Sequence, residues 1–434
     1  MEQREATLLR HAPAPRPERD LALAWRAALR TAALPALGGI VVFALSAWIV
    51  GVPGGGPLRD YERFGRNILR GLVPYRDYHI EYPPASIPAF LVPAPGGDGY
   101  ETRFRLWIWA LGVASIVLLA LLRAAAGSRG RSLWTITLFV GISPLLFDRF
   151  PIFNGFDFWP AWLTLVALTF LLGGRRRLAA GTLGFATAAK VYPMILLPLL
   201  LLFRRGRLSW HAVRGEITAF VGVVVAVNLP FAIIAFHDLG YTYSSLIRRP
   251  LQIESLAGSV FLVAHQVGLY RPTVYVSFGG SQDLAGRLPD VVAPLTAVVM
   301  GVAVLAVWVV FARGRRSLEA FLTAAAACVA AFIAFGKVFS PEYQVWLIAI
   351  VPLASRVVRL PALALTGTAL VLTRLYFPHR YDEVVHLSAL DWLVFARNMV
   401  VVALFLVLFL GLRRLCASSG APIAPPEPDR PPVG

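Results

Sequence analysis

The chain has 434 residues, of which 57% are hydrophobic and 15% are charged, and it carries a formal net charge of +17. A soluble domain is nearer half apolar and a quarter charged, so this composition excludes an ordinary soluble protein and predicts a polytopic membrane protein. Nucleic acid is excluded as a partner because the basic residues follow a membrane topology, as described below. Cys328 and Cys416 lie in an apolar segment and in a basic tail, so we expect no disulfide.

Three regions follow one another along the chain. Residues 1–30 form a basic, proline-containing tail without a signal-peptide cleavage site, which we expect to be cytoplasmic. Residues 31–412 form the membrane domain, and residues 413–434 form a proline-rich cytoplasmic tail that is predicted to be disordered. Hydropathy predicts about twelve membrane segments, several of them short, and therefore an all-α fold. These segments are 31–52, 106–122, 133–147, 158–172, 179–203, 217–236, 256–269, 291–311, 318–335, 345–354, 362–375 and 392–412.

The first outer loop, at 53–104, begins with an amphipathic pattern. When residues are placed about 100° apart, Asp60 lies on the border between an apolar stripe and a basic face. The pattern predicts a helix that lies flat in the membrane interface, with its apolar face towards lipid and Asp60 just above the headgroups. The alternative is a solvated loop with an ordinary amphipathic anchor. The apolar stripe consists of Leu58, Tyr61, Phe64, Gly65, Ile68, Leu69 and Leu72.

The segment at 179–203 is interrupted by Lys190 and Pro193, which fall in the middle of an apolar run. We predict two half-length helices that meet there, since such breaks are tolerated where they line a cavity. An ionisable group at this depth is costly and is usually paired or functional. For Lys190 the alternatives are contact with a substrate and a salt bridge to Asp157 that only joins two helices.

The positions of the charges predict the orientation. With a cytoplasmic N-terminus, the inner segments carry 24 of the 41 basic residues and 8 of the 24 acidic ones, a net charge of +16. The outer segments, which include the loops at 53–104 and 237–290, sum to +1. Because basic residues concentrate on the cytoplasmic side of a membrane, we expect a multi-pass protein of the plasma membrane whose active site lies on the non-cytoplasmic face.

The same topology brings the unusual polar side chains to the outer ends of the segments. For Lys337 and Glu342 the alternative to a functional role is snorkelling to the interface, and for Arg374 it is contact with lipid headgroups. The candidate substrate-binding residues are Glu81, Tyr82, Asp157, Lys190, Tyr192, Gln252, Glu254, Lys337, Glu342 and Arg374.

Several other chemistries lack their motifs in this sequence. The seven histidines show no HExxH or similar metal-ligand spacing, and there is no Walker-type phosphate loop for ATP hydrolysis. Asp60 is followed by Tyr61 and Glu62 and has no second acid at DxD spacing. We therefore expect neither a metal ion nor a cofactor.

A set of short motifs in a fixed order identifies a resemblance. The motifs are Gly71-x-x-Pro74-Tyr75, Tyr82-Pro83-Pro84, Phe156-Asp157, the run from Ala179 through Lys190 to Pro193, and the run from Phe335 to Tyr343. Their order, after an outer Asp60, resembles the polyprenol-phosphate-mannose-dependent glycosyltransferases of family 87, which are integral-membrane enzymes of the GT-C fold. The resemblance covers residues 32–412, and the element around Gln252 and Glu254 is similar to one that recurs in relatives.

The resemblance implies an inverting transfer of a sugar, mannose or arabinose, from a polyprenyl phosphate to a lipid or polysaccharide acceptor of the cell envelope. The acidic residue after the first span is the catalytic base in such enzymes, and it corresponds to Asp60. This role agrees with the predicted position of Asp60, because a carboxylate at the headgroup level can take the proton of the acceptor hydroxyl.

Lys190, Lys337 and Arg374 are then candidate cations for the leaving phosphate, and membrane lipids are further partners. At Asn154-Gly155 the chain departs from the Gly-Gln or Gly-Arg pair of many relatives, so the identity of the sugar stays open. The alternative function is a transporter or flippase of a lipid-linked sugar, which would carry polar residues at the bilayer midplane and show repeat symmetry.

Overall fold

The structure, a computed structural model, describes residues 17–50, 57–204 and 209–417. The parts of the two predicted tails at 1–16 and 418–434 lie outside the described residues. The first helix, α1, runs over Pro17–Ile49, so it begins within the segment at 1–30 that is predicted to be a cytoplasmic tail. The alanine- and leucine-rich sequence favours this continuation, and Pro17 suits the first turn of a helix. At the other end, the last helix extends to Ala417, so residues 413–417 are helical as well.

The chain is mostly helical, and its helices are numbered in chain order. In the first half, α1 is followed by α2 (Leu58–Leu69), α3 (Ile87–Leu91), α4 (Tyr100–Ala125), α5 (Arg131–Phe147), α6 (Arg149–Phe153), α7 (Phe158–Leu172), α8 (Arg176–Ala189), α9 (Leu197–Leu202), α10 (Trp210–Ile234) and α11 (Phe236–Arg248). In the second half lie α12 (Leu256–Gln266), α13 (Arg287–Arg313), α14 (Leu318–Phe335), α15 (Gln344–Ile350), α16 (Arg356–Arg374), α17 (Tyr381–Val385) and α18 (Asp391–Ala417).

Seven of the described helices, α1, α4, α10, α13, α14, α16 and α18, are long and apolar enough to cross a membrane. This agrees with the helical, polytopic membrane protein that the composition predicts. Four further apolar segments are shorter, with 10–17 residues each. The number of about twelve spans therefore stays a prediction.

The long outer loop contains a small antiparallel sheet that the sequence analysis did not predict. The strands β1 (Leu251–Gln252), β2 (Thr273–Val276) and β3 (Gln282–Ala285) lie in the order β1-β3-β2. β2 and β3 form a hairpin whose tip contains Gly279 and Gly280, both at positive φ. A left-handed backbone favours glycine, and this tip reaches the cavity described below.

The predicted helix break is present at Lys190. Helix α8 ends at Ala189, Lys190 has extended backbone angles, and a 3₁₀ turn at Tyr192–Leu196 leads into α9. Pro193 favours the break because it has no N–H to donate. A similar short segment follows α14, where a 3₁₀ turn at Pro341–Tyr343 leads into α15, a fully buried helix of seven residues.

The predicted amphipathic helix is present as α2, but much of its apolar face packs on the protein itself. Tyr61 and Phe64 are buried, and the ring of Tyr61 stacks on that of Phe90 with 4.7 Å between the centroids. Leu69 and Leu72, at the end of the stripe, are exposed. The expectation of an apolar face turned towards lipid is therefore wrong for the first part of α2, because its aromatic residues complete the protein core.

One end of the helix bundle is joined by buried ion pairs. Arg123 donates to Glu319 at 2.8 Å, and Glu216 accepts from Arg176 and from Arg204 at 2.7 Å each. These residues belong to the loops and helix ends that the sequence predicts to be cytoplasmic. The first outer loop, the long outer loop and the break after α8 meet at the opposite end of the bundle.

Candidate active site

A cavity of about 1280 Å³ lies at the end of the bundle opposite the buried ion pairs. Its walls come from α2 and the loop that follows it, the break after α8, the end of α11, the tip of the β2–β3 hairpin and the segment 336–343. Most of the residues that the sequence analysis proposed border this one cavity. Its polar lining includes Asp60, Glu81, Tyr82, Lys190, Tyr192, Arg249, Gln252, Glu254, Lys337 and Glu342.

Asp60 lies in the first turn of α2 and borders the cavity. Its carboxylate is 57% exposed and pairs with Arg63 at 2.7 Å. An exposed pair of this kind contributes little to stability, so the carboxylate is accessible to a substrate. Helix α2 is held in place by a close approach at Gly65, where a Cβ atom would lie 2.6 Å from the carbonyl oxygen of Phe90.

Glu81 and Tyr82 lie on the same side of the cavity as Asp60. Burial raises the pKa of the Glu81 carboxyl, with Arg249 opposing the shift and Asp60 adding to it. Oε2 of Glu81 lies so close to Gly279 at the hairpin tip that a Cβ atom there would be 2.5 Å from it. The contact brings the first and the long outer loops together over the cavity.

The side chain of Lys190 is paired and enclosed. Its Nζ donates to Oδ1 of Asp157 at 2.6 Å, and Nε1 of Trp346 donates to the same oxygen at 2.7 Å. The rings of Phe156, Tyr343 and Trp346 surround the ammonium group, with centroids at 5.1, 4.8 and 5.1 Å. The salt bridge that the sequence analysis left as an alternative is therefore present. Asp157 lies behind Lys190 and does not itself border the cavity.

Tyr192 and Glu342 flank this ion pair. The ring of Tyr192 stacks on that of Trp346 at 4.0 Å, and Trp346 stacks on Tyr343 at 4.2 Å. Burial and the nearby Asp157 raise the pKa of the Glu342 carboxyl, while Lys190 opposes the shift. Glu342 is thus a half-buried acid beside the Lys190–Asp157 ion pair, whose two charges already neutralise each other.

Hydrogen bonds of Gln252 and Lys337 connect the backbone segments 247–252 and 337–340. The side chain of Gln252 accepts from the N–H of Phe339 at 2.7 Å and donates to Oγ of Ser340 at 3.2 Å. Nζ of Lys337 donates to the carbonyl oxygen of Ile247 at 2.6 Å. Because Gln252 is only 2% exposed, these bonds indicate that it positions the wall of the cavity.

Glu254 is buried in a polar network between β1, α17 and α18. Its carboxylate accepts from the hydroxyls of Tyr376 at 3.0 Å and Tyr381 at 3.1 Å. Its backbone oxygen accepts from Arg397 at 2.6 Å. Burial, with Arg397 opposing, raises the pKa of Glu254 to about 7. The network connects the long outer loop to the end of α18.

Arg374 does not border the cavity. It lies in the last turn of α16, is exposed, and donates to the carbonyl oxygen of Leu145 at the end of α5. Arg374 lies at the same end of the bundle as the cavity, as predicted, but the face of α16 that carries it points away from the cavity. The structure therefore does not bring Arg374 together with the other candidate residues.

Arg249 borders the cavity although the sequence analysis did not propose it. Its guanidinium is half-buried, and Nε has no hydrogen-bond partner among the described residues. It follows the end of α11 and precedes Pro250 and β1. The signal in the sequence is its position just before the Gln252–Glu254 element, since a proline keeps the backbone extended there.

The inner part of the cavity is apolar and extends between helices α10 and α13. In both helices, most residues of the apolar stretch are not buried by the rest of the protein, as expected for helices that face lipid. The apolar lining includes Met194, Val224, Val225, Ala297, Met300 and Phe332. A single cavity therefore joins a polar end to an apolar end beside lipid-facing helices.

The family model of glycosyltransferase family 87 matches residues 79–341, which is more than half of the chain. The chain belongs to glycosyltransferase family 87. No curated protein matches it. Together with the seven long apolar helices, the family makes this chain a membrane glycosyltransferase, which binds a sugar donor and an acceptor.

The matched region contains most of the lining of the cavity in this family 87 glycosyltransferase. Glu81, Lys190, Arg249 and Lys337 lie inside it, whereas Asp60 precedes it. Within residues 17–50, 57–204 and 209–417, no three His, Cys, Asp or Glu side chains come together in a way that could hold a metal ion. The cavity is lined by the exposed carboxylate of Asp60, by three further acids that are buried or half-buried, and by three cationic side chains.

Proposed function

We propose that this glycosyltransferase has the GT-C fold and transfers a sugar from a polyprenyl phosphate to a hydroxyl group of a lipid or polysaccharide acceptor of the cell envelope. The sugar is mannose, with arabinose as the alternative, and Asp60 is the general base. The reaction takes place at the non-cytoplasmic face of the plasma membrane and needs no cofactor.

The observation that carries the proposal is the two-part character of the cavity. Its polar end holds Asp60, Arg249 and Lys337, and its apolar end extends between α10 and α13. A polyprenyl-phosphate sugar has the same division, with a charged head and a long tail that must stay in lipid. A nucleotide-sugar donor has no tail that would use the apolar end.

The proposed step is a direct displacement at the anomeric carbon. The acceptor oxygen forms a bond to that carbon while the bond to the phosphate oxygen breaks, and the configuration inverts. The electron pair of the broken bond stays on the phosphate, where nearby cations stabilise the added charge. The proton of the acceptor hydroxyl passes to the carboxylate of Asp60.

The experiment compares two acids on the same helix. Asp60→Asn keeps the shape of the side chain but cannot take the proton, so turnover should fall by about 10²–10⁴-fold while the donor still binds. Glu62→Gln is the control, because Glu62 pairs with Arg66 at 2.6 Å and does not border the cavity. Turnover is measured as transfer of labelled sugar from a polyprenyl-phosphate donor, and Glu62→Gln should stay near the wild type.

Three results would contradict the proposal. Near-normal turnover of Asp60→Asn would remove Asp60 as the base. Activity that is lost with EDTA and restored by a divalent ion would contradict the metal-free step. Movement of a labelled lipid-linked sugar across the membrane without any transfer product would favour the transporter instead.

A further inference from the structure

Two cationic side chains of the cavity are carried by backbone segments that are bonded to each other. Nζ of Lys337 donates to the carbonyl oxygen of Ile247, two residues before Arg249, at 2.6 Å. The carbonyl oxygen of Lys337 in turn accepts from the N–H of Gln252 at 3.0 Å. Arg249 therefore lies between two points of contact with the segment that carries Lys337, so the two charges are held on one wall of the cavity.

The side chain of Gln252 makes this arrangement rigid. It accepts from the N–H of Phe339 at 2.7 Å and donates to Ser340 at 3.2 Å. Four hydrogen bonds thus fix residues 337–340 against residues 247–252. A binding site whose groups are positioned in advance loses less conformational entropy when a ligand binds.

Neither cation forms a direct ion pair. Among the described residues, no carboxylate oxygen lies within 4 Å of Arg249 or Lys337, and Nε of Arg249 has no hydrogen-bond partner. Glu81 and Glu342 act on Arg249, and Asp283 on Lys337, only at longer range. Burial and the neighbouring Arg249 lower the pKa of Lys337. Placing two cations together in a partly buried wall is costly unless an anion binds between them, so this wall is suited to an anionic ligand.

Lys190 differs from these two residues in its pairing. Its charge is matched by Asp157 at 2.6 Å, and three aromatic rings surround it. A cation that is already paired has little to gain from a phosphate, because the carboxylate would have to be displaced. The anion is therefore expected at the wall formed by residues 249 and 337.

We propose that Arg249 and Lys337 form the subsite that binds the phosphate of the donor, and that Lys190 does not contact it. The inference rests on the proposed function, since the donor is taken to be a polyprenyl phosphate. The planar guanidinium of Arg249 suits phosphate geometry through paired N–H donors, while Lys337 adds a point charge.

The experiment measures binding, independently of transfer. The full-length protein in lipid nanodiscs is titrated with a polyprenyl monophosphate and with the uncharged polyprenol of the same chain length. Arg249→Met should weaken binding of the phosphate about 10–100-fold, as expected for the loss of charge-assisted hydrogen bonds, and should leave binding of the polyprenol unchanged. Arg248→Met is the matched control, because Arg248 is exposed and does not border the cavity.

Further variants keep the inference testable if Arg249→Met does not fold. Arg249→Lys should retain part of the affinity, and Lys337→Met should weaken binding of the phosphate but not of the polyprenol. A folded Arg249→Met that binds the phosphate as the wild type does would overturn the inference. Loss of phosphate affinity in a folded Lys190→Met, with Arg249→Met unaffected, would overturn it as well.

The two proposals fail in different ways. If Arg249→Met loses phosphate binding and no sugar transfer is found with any polyprenyl-phosphate donor, the subsite stands and the proposed function is wrong. If sugar transfer is found and Arg249→Met keeps normal phosphate affinity, the proposed function stands and the subsite is wrong.

Discussion

Glu254 is the buried acid with the clearest consequence for stability. Burial raises its pKa to about 7 from an ordinary value of 4.5, with Arg397 opposing, the hydroxyls of Tyr376 and Tyr381 opposing more weakly, and Glu342 adding to the shift. The folded protein therefore keeps this proton at pH values where the unfolded chain has released it. The resulting stability is fully present below about pH 4.5 and is lost as the pH rises to about 7.

Glu254→Gln should remove this dependence on pH. As the pH is raised from 5 to 8, the wild type should lose stability that the variant keeps. The melting temperature of Glu254→Gln in detergent should therefore rise relative to that of the wild type. At about 1.4 kcal/mol per pKa unit, the change in relative stability is on the order of 3 kcal/mol. Glu383→Gln is the control, because Glu383 is an exposed partner of Arg380. Equal pH dependence in the wild type and Glu254→Gln would contradict the prediction.

Single residues show where sequence reasoning succeeds and where it stops. Lys190 could be identified because a lysine inside an apolar run needs a partner or a role, and its possible partner, Asp157, was also apparent. Arg249 was not identified, because it stands beside Arg248 in a polar stretch, and only its position just before Pro250 and the Gln252–Glu254 element sets it apart. Arg374 was placed at the correct depth, but depth does not determine which way a helix face points.

Among the helices, α2 is the element whose position matters most for the proposed chemistry, since it carries Asp60. It packs closely at Gly65, where a Cβ atom would lie 2.6 Å from the carbonyl oxygen of Phe90 and 2.8 Å from Cβ of Ala94. Neither contact can be relieved by turning a flexible side chain. Any residue larger than glycine must push α2 away from α3 and the loop that follows it.

Gly65→Ala should therefore lower activity without changing any polar group. Alanine has the higher helix propensity, so a loss must come from the displacement of α2. A shift of about 1 Å in a catalytic group can cost about 100-fold in rate, and we expect a fall of about tenfold to 100-fold in turnover with smaller changes in donor binding.

Gly222→Ala is the control for this glycine substitution. Gly222 lies in α10, and a Cβ atom there would have no neighbour within 4 Å. It should therefore leave both the turnover and the melting temperature near those of the wild type. Unchanged turnover in Gly65→Ala would show that the position of α2 is not critical for the reaction.

The elements differ in how well the sequence predicts them. The amphipathic helix and the break at Lys190 were predicted because hydrophobic periodicity and proline act locally. The strands β1–β3 were not, because β1 has two residues and β2 is largely exposed, so neither has a readable alternation. The packing of α2 on the protein could not be predicted either, since an amphipathic stripe has the same pattern whether it faces lipid or a protein core.

At the scale of the whole molecule, the two ends of the bundle differ in chemistry. Buried Arg–Glu pairs join the helices at one end, and the cavity, with Arg249 and Lys337 outside any direct ion pair, lies at the other. The +16 and +1 charges of the inner and outer segments predict that the end with the ion pairs is the cytoplasmic one. Local charge is enough for such a prediction, because each loop contributes independently to topology.

The proposed orientation can be tested at the two ends of α4. This helix has 26 residues and is about 39 Å long, so the loops at its ends lie on opposite sides of a membrane. Asp98 precedes α4 on the side of the cavity, and Arg129 follows it on the side of the buried ion pairs; both are exposed. Cys328 and Cys416, both buried, are replaced by alanine to give a background without thiols.

With the cavity on the non-cytoplasmic side, Asp98→Cys should react with a membrane-impermeant maleimide in intact cells, and Arg129→Cys only after lysis. The two variants control each other, because a leaky membrane would expose both cysteines and an unfolded protein would make both reactive. The physical reason for the expected result is that Arg129 belongs to the basic segments, which are retained on the cytoplasmic side. The reverse pattern, with Arg129→Cys labelled in intact cells and Asp98→Cys only after lysis, would place the cavity in the cytoplasm and contradict transfer at the outer face.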